Sequence, residues 1–147
     1  MTESIEMVPL IITALYLVIC TVTDLIRRQI YLSVSICFFI TGVVFSMTGA
    51  GVNFRNAAAG ILIGAAILAA GALTKEAIGI GDGIVFMVTG IYLGFYENLG
   101  LFLISTFLCG IVSAILLVMR ICKKKDSIPF APFAAGALLI LILLERC

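Results

Sequence analysis

The sequence predicts an all-α protein, a polytopic membrane bundle of about six transmembrane helices that forms a single domain over residues 1–147. Of its residues, 63% are hydrophobic and only 12% are charged. Mean hydropathy is strongly positive. Such a composition is typical of an integral membrane protein with little soluble mass. The hydrophobic residues also fall into six runs, separated by short polar or glycine-containing stretches, and most runs approach the length needed to cross a bilayer.

The first two runs cover residues 8–23 and 30–47. Residues 1–7 contain no basic residue, so they lack the positive region of a secretory signal peptide, and we expect the first run to be a retained helix. This run ends at Asp24, followed by Arg27 and Arg28. The second run is rich in β-branched and aromatic residues, but its length favours a spanning helix over a strand.

The third run, residues 57–73, follows a turn predicted over residues 48–56. Gly60 and Gly64 have the spacing small-x-x-x-small, which lets helix backbones approach closely. We therefore expect this helix at a packed interface inside the bundle. Thr74, Lys75 and Glu76 interrupt the apolar sequence after it.

The fourth run follows Asp82 and ends near Tyr96, and the next turn is predicted at residues 97–100. The fifth and sixth runs cover residues 101–119 and 128–144, with a basic segment between them. Pro129 and Pro132 fall near the start of the last helix, where proline is tolerated because the first N–H groups of a helix have no internal partner.

Basic residues predict the orientation of the bundle in the cell membrane. Six spans place both termini on one side, and the loops on the opposite side hold most of the positive charge. By the positive-inside rule, those loops are cytoplasmic and both termini are extracytoplasmic. The loops predicted to be cytoplasmic contain Arg27, Arg28, Lys75, Arg120, Lys123, Lys124 and Lys125, whereas the other side holds Arg55 and Arg146.

Asp24 and Asp82 are the candidate catalytic residues. The predicted topology puts Asp24 at the cytoplasmic end of the first helix and Asp82 at the cytoplasmic start of the fourth. A carboxylate deep in hydrocarbon costs about 2.5 kcal/mol or more, so such residues are usually functional. Two nearby carboxylates can share a proton, one acting as a base on water and the other as an acid. The chain has no histidine, which excludes Ser-His-Asp and Cys-His catalysis, and we expect no metal and no cofactor.

Three glycines surround Asp82, in the stretch Gly79-Ile80-Gly81-Asp82-Gly83. Because glycine lacks a side chain and tolerates non-helical backbone, we expect an active-site loop that leaves room for a water molecule or a substrate backbone.

Structural interpretations of both carboxylates stay open. Asp24 can be an interfacial residue that pairs with Arg27 or Arg28. Asp82 can be the N-cap of the fourth helix, where an aspartate satisfies free N–H groups and suits the helix dipole.

The stretch Gly79-Ile80-Gly81-Asp82 resembles the Gly-x-Gly-Asp signature of intramembrane aspartyl proteases, and its context resembles the type IV prepilin peptidase family. Members of that family have one catalytic aspartate at the end of the first helix of the peptidase core, followed by basic residues, as Asp24 is here. The segment from Ile128 to Gly136 is similar to the start of their final helix. The resemblance implies one membrane-embedded peptidase domain, with Asp24 and Asp82 as the catalytic pair.

The chain departs from the family pattern at two positions. Family members usually have Ile-Pro a few residues after the first aspartate, where this chain has Ile30-Tyr31-Leu32, and a lysine two residues after the second, where it has Ile84. It also lacks the cysteine-containing insert of the long bifunctional members. The resemblance therefore implies a short, stand-alone peptidase without the methyltransferase half.

The implied substrates are prepilin-like or pseudopilin membrane proteins, which are cleaved at the boundary between a short basic leader and an apolar segment. The partners are then these substrates and the lipid bilayer, with no nucleic acid; the oligomeric state stays open. Pro129 and Pro132 are possible substrate-binding residues, because unpaired backbone beside them can hold an extended substrate, although both can equally be simple helix starters.

Two other functional classes are alternatives. The chain can be a small transport subunit in which Asp24 and Asp82 relay a proton or another cation. It can also be a non-catalytic membrane scaffold of the same fold, since it lacks the usual lysine and proline.

Overall fold

The computed structural model describes residues 7–27, 31–49, 51–74, 80–120 and 128–146. Within these ranges the chain forms six α-helices and no strand, as the sequence predicts. The helices are α1 (Met7–Arg27), α2 (Leu32–Met47), α3 (Phe54–Leu73), α4 (Ile80–Leu93), α5 (Phe95–Val118) and α6 (Ala131–Arg146).

The predicted helical membrane bundle is confirmed. Three helices, α1, α3 and α5, are long and apolar enough to cross a bilayer, and α2, α4 and α6 are shorter apolar helices. On α1, the exposed residues Ile11, Leu15, Val18 and Val22 repeat at helical spacing and form an apolar outer stripe. A stripe of this kind is stable facing lipid and unstable facing water. The protein is therefore a membrane protein.

Helix α4 is the centre of the bundle. It packs against α1, α2, α3 and α5, and nine of its 14 residues are buried. With a rise of about 1.5 Å per residue it is only about 21 Å long, shorter than the hydrocarbon layer. The helices around it supply the lipid-facing surface.

The prediction that Gly60 and Gly64 lie at a packed interface is confirmed. A Cβ atom on Gly60 would overlap the backbone of Gly90, and one on Gly64 would overlap the backbone nitrogen of Met87. Further along the same contact, a Cβ on Gly83 would lie 2.8 Å from the backbone nitrogen of Leu68. Residue numbers rise along α3 as they fall along α4, so the two helices are antiparallel.

The turn predicted at residues 97–100 is wrong. Glu97, Asn98 and Gly100 lie within α5, and the chain reverses at Gly94, whose φ of 81° suits glycine. The Asn56 side chain fixes this reversal by accepting a hydrogen bond of 3.0 Å from the backbone N–H of Phe95. The sequence predicts a turn at Asn98 because the residue is polar. Its side chain is instead fully buried and donates hydrogen bonds to the backbone carbonyls of Gly60 and Phe86.

Candidate functional site

Asp24 lies in the last turn of α1, three residues before the helix ends at Arg27. It continues the face of α1 that includes the buried residues Tyr16 and Cys20, at successive intervals of four residues. Its side chain is partly buried. One carboxylate oxygen, Oδ2, accepts a hydrogen bond of 3.3 Å from the backbone N–H of Ala131, the first residue of α6.

Asp82 is the third residue of α4 and is also partly buried. Helix α1 packs against both α4 and α6, and Phe130, directly before α6, contacts Phe86 of α4. The end of α1 and the starts of α4 and α6 therefore meet at one end of the bundle. The structure thus places the two carboxylates that the sequence singles out at the same end of the bundle, although 57 intervening residues separate them.

At the start of α6, one backbone N–H group is available to donate a hydrogen bond to a side chain. In its first turn, Pro132 has no N–H group, and the N–H of Phe133 donates to the carbonyl of Phe130 at 3.0 Å. The N–H of Ala131 remains, and it donates to Asp24.

Aromatic contacts hold the start of α6 against α4. The rings of Phe130 and Phe86 lie 5.9 Å apart between centroids, at an angle of 63°. Phe86 is one helical turn beyond Asp82, and its ring also packs edge to face on Phe102 of α5, at 5.3 Å. Such pairs contribute about 0.5–1.5 kcal/mol beyond their buried area. The segment that contacts Asp24 is therefore also fastened to the helix that carries Asp82.

The glycines around Asp82 do not form the expected loop in the part of the chain that the structure describes. Gly81 and Gly83 are helical residues of α4. Because Gly83 has no side chain, the backbones of α4 and α3 can approach closely at Leu68. The space that the missing side chain leaves is therefore filled by α3 and is not an opening for substrate. Gly79 lies outside the described residues.

The two prolines occupy different positions. Pro132 is the second residue of α6, as expected for proline at a helix start. Pro129 precedes the helix by two residues and is not part of its first turn. Both are partly buried beside Phe130 and Ala131, at the end of the bundle that holds the two carboxylates. Their role in substrate binding stays a prediction.

Ile84, which replaces the usual lysine of the family pattern, faces away from the carboxylates. It lines an apolar groove of about 210 Å³ between α2 and α4, together with Ser35, Ile36, Phe39, Met87 and Val88. Residues two apart on a helix lie about 200° apart around its axis, so Asp82 and Ile84 are on nearly opposite sides of α4.

In the described part of the chain, the pairing of Asp24 with Arg27 and the N-cap role of Asp82 do not match the surroundings of these residues, while pairing of Asp24 with Arg28 stays untested. The guanidinium group of Arg27 lies over the Tyr31 ring, 5.9 Å from its centroid, and the partner of Asp24 is a backbone amide. Asp82 lies inside α4, two residues after the first helical residue, and is not the N-cap. Arg28 lies outside the described residues.

Sequence reasoning missed two contributors to this site, the backbone N–H of Ala131 and the Phe86–Phe130 contact. A signal for the first was present, because Pro132 marks a helix start and helix starts have free N–H groups. No local pattern pointed to Asp24 as the acceptor, since it lies 107 positions away.

Comparison with known proteins adds one finding. Searches of curated proteins and of solved structures gave no match. A family model described as the type IV leader peptidase family matches residues 11–115, well over half of the chain, and the match includes both Asp24 and Asp82. This confirms the resemblance drawn from the residues around them. The chain belongs to the type IV leader peptidase family.

Proposed function

We propose that the protein is an intramembrane aspartyl endopeptidase in which Asp24 and Asp82 together activate a water molecule. The observation that supports this proposal is the placement of Asp24, near the end of α1, and Asp82, near the start of α4, at the same end of the bundle. Family membership supports peptidase activity in general.

Hydrolysis by this pair needs one ionised and one protonated carboxyl group. The ionised group takes a proton from water as the water oxygen attacks the carbonyl carbon of the scissile bond. The protonated group gives its proton to the carbonyl oxygen, and the tetrahedral intermediate forms. The C–N bond then breaks as its nitrogen takes the proton held by the first group and one hydroxyl of the intermediate gives its proton to the second, which leaves a carboxylic acid and an amine and restores the pair. These steps require no metal and no cofactor.

We propose prepilin-like or pseudopilin membrane proteins as substrates, cleaved at the junction of a short basic leader and an apolar segment. Such a junction lies at the membrane surface, which suits carboxylates near the helix ends. The substrate must be extended at the scissile bond, because a helix engages its own carbonyl groups in hydrogen bonds. We place the site at the cytoplasmic face of the cell membrane, because most of the basic residues belong to that end.

The decisive experiment is a cleavage assay in membranes with a prepilin-like substrate. Wild type is compared with Asp24→Asn and Asp82→Asn at matched expression. We expect wild type to cut at the leader boundary, and each variant to lose about 100-fold or more of the rate, since an amide neither accepts nor donates the required proton.

Asp126→Asn is the matched control, because it removes the third and last aspartate of the chain without touching the pair. It should cleave at the wild-type rate. If the pair variants still cleave, Asp24 and Asp82 are not the catalytic residues. If folded wild type cuts none of several pilin-like substrates, the peptidase proposal fails for this chain, and proton or cation transport becomes the next assay.

A further inference from the structure

We propose that Phe130 is a positioning residue. Its ring contact with Phe86 sets where the end of α1, which carries Asp24, lies relative to the start of α4, which carries Asp82. That this placement controls the cleavage rate rests on the proposed peptidase function. The control of helix placement does not, and it can be measured without turnover.

The first step in the argument concerns the last turn of α1. The buried residues of this helix end at Cys20, one turn before Asp24. Asp24 is only partly buried, and the hydrogen bond that the structure describes for its side chain comes from Ala131, at the start of α6. The position of the turn that carries Asp24 therefore depends on where α6 begins.

The second step is that Phe130 fixes the place where α6 begins. Along its length, α6 packs mainly against α5 and α1. Phe130, directly before the helix, contacts α4 instead, and its ring centroid lies 5.9 Å from that of Phe86 at an angle of 63°. Edge-to-face contacts of this kind are directional, so they favour one relative placement of the two segments.

The third step is that Phe86 moves together with Asp82. The two residues are four positions apart in α4, which puts them on the same face of the helix, about 6 Å apart along its axis. Phe86 is 0% exposed, so its ring is enclosed by neighbouring side chains. A shift of Phe130 relative to Phe86 is therefore a shift of the start of α6 relative to Asp82.

The fourth step is that the Phe86 ring has a second aromatic partner, which supplies a matched control. Phe102 of α5 packs edge to face on Phe86, at 5.3 Å between centroids and an angle of 90°. This contact joins α4 to α5, and α5 carries neither aspartate. Its loss should weaken the bundle without moving the end of α1.

The test compares Phe130→Leu with Phe102→Leu. Each substitution removes one aromatic partner of Phe86 and leaves an apolar side chain. Phe130→Tyr is the conservative variant, because it keeps the ring at a position that is partly exposed. Phe130→Met, whose flexible side chain fills irregular gaps, takes the place of Phe130→Leu if that variant does not fold.

The first readout is cleavage kinetics. A misplacement of the reacting groups by about 1 Å can lower a rate by about 100-fold. We expect kcat of Phe130→Leu to fall on the order of tenfold or more below that of Phe102→Leu, with KM nearly unchanged. Phe130→Tyr should recover most of the loss. Thermal unfolding should show similar losses of stability for Phe130→Leu and Phe102→Leu.

A double-mutant cycle tests whether Phe130 acts through Phe86. If it does, kcat of the double variant Phe86→Leu/Phe130→Leu should equal that of Phe86→Leu alone, since the contact is already lost in the single variant. Independent effects of the two substitutions on kcat would contradict the contact as the cause.

The second readout is electron paramagnetic resonance, which needs no turnover. Spin labels are attached to Asp24→Cys/Asp82→Cys after the five native cysteines are replaced by alanine. The dipolar coupling between the labels reports their separation. Phe130→Leu should change this coupling, whereas Phe102→Leu and Phe130→Tyr should leave it as it is in the parent protein.

A folded Phe130→Leu or Phe130→Met protein with the parent dipolar coupling would overturn the inference, as would wild-type kcat in that variant. Equal changes in Phe102→Leu and Phe130→Leu would overturn it as well. If wild type cleaves nothing, the proposed function fails, while the dipolar coupling still decides whether Phe130 positions the two helix ends.

Discussion

Asn98 is a fully buried amide whose hydrogen bonds are all made inside the protein. Its Nδ2 donates to the carbonyls of Gly60 and Phe86, at 3.1 and 3.0 Å, and its Oδ1 accepts a bond of 2.7 Å from the Thr89 hydroxyl. In an apolar interior, a polar group without a partner is costly. The network therefore links α3, α4 and α5 through one side chain.

We predict that Asn98→Leu destabilises the protein by about 1–2 kcal/mol, because it removes the three hydrogen bonds that the amide makes in an apolar interior. The measurement is reversible unfolding in detergent micelles. Thr89→Val should cost less, since it removes one of the three bonds.

The double variant Thr89→Val/Asn98→Leu provides the control. If the residues act as one network, the double variant loses less stability than the sum of the two single losses. Strictly additive losses would contradict the network.

At the scale of elements, the glycine contact between α3 and α4 sets the position of the helix that carries Asp82. The close approaches at Gly60, Gly64 and Gly83 leave no space for side chains between the two backbones. In a membrane, where lipid is as apolar as the helices, such close packing is a main source of helix association. The contact therefore matters for the site as well as for stability.

We predict that Gly64→Ala lowers both stability and cleavage, because the added methyl group would overlap the backbone nitrogen of Met87 and force α4 away from α3. Overpacking of this kind typically costs about 1–3 kcal/mol. Thermal unfolding and the cleavage rate are the measurements.

Gly110→Ala is the matched control for this substitution. Gly110 is a helical glycine of α5 where an added Cβ would meet no atom within 4 Å. Its substitution should leave cleavage unchanged and should not lower stability, since alanine is the better helix former. Equal losses in the two variants would show that the effect of Gly64→Ala does not come from the α3–α4 contact.

At the scale of the whole molecule, the two ends of the bundle differ in the residues that they contain. The two carboxylates lie at the end of the bundle where α1 ends and α4 and α6 begin, and by sequence order most of the basic residues fall in the segments that connect helices at this end. Asn56 and Gly94 form the reversal at the other end, between α4 and α5. Orientation in the membrane therefore decides which compartment the site faces.

We predict that both termini are extracytoplasmic and that the carboxylate end is cytoplasmic, because positively charged loops are retained inside. Reporter fusions provide the measurement. Alkaline phosphatase, which is active only outside the cytoplasm, should be active when fused after residue 147 and inactive when fused within residues 121–127. The reverse pattern would place the site outside and remove its access to a cytoplasmic leader.

Much of the architecture follows from local properties of the sequence. Apolar runs and their lengths predict six helices, and all six are present among the described residues. The spacing of Gly60 and Gly64 predicts a helix contact. Asp24 and Asp82 are identified as candidate catalytic residues because they are charged residues in apolar surroundings, and counting the spans places them on the same side of the membrane. The apolar runs and the glycine spacing are short local patterns, and counting spans needs only the order of the runs along the chain, which is why the sequence alone reveals them.

Contacts between distant segments required the tertiary structure. The sequence predicts a turn at Asn98 because its hydrogen-bond partners at Gly60 and Phe86 cannot be recognised from neighbouring residues. It likewise predicts a loop at Gly83, because the contact of Gly83 with Leu68 on α3 is equally remote in sequence.

The sequence by itself determined the class of fold, the family and the two candidate carboxylates, since hydropathy and motif are properties of the linear chain. The tertiary structure decided where α4 packs, what surrounds each carboxylate and that the Ala131 amide reaches Asp24. Those features depend on which surfaces pack together, and that is settled by shape and hydrogen-bond pairing across the bundle.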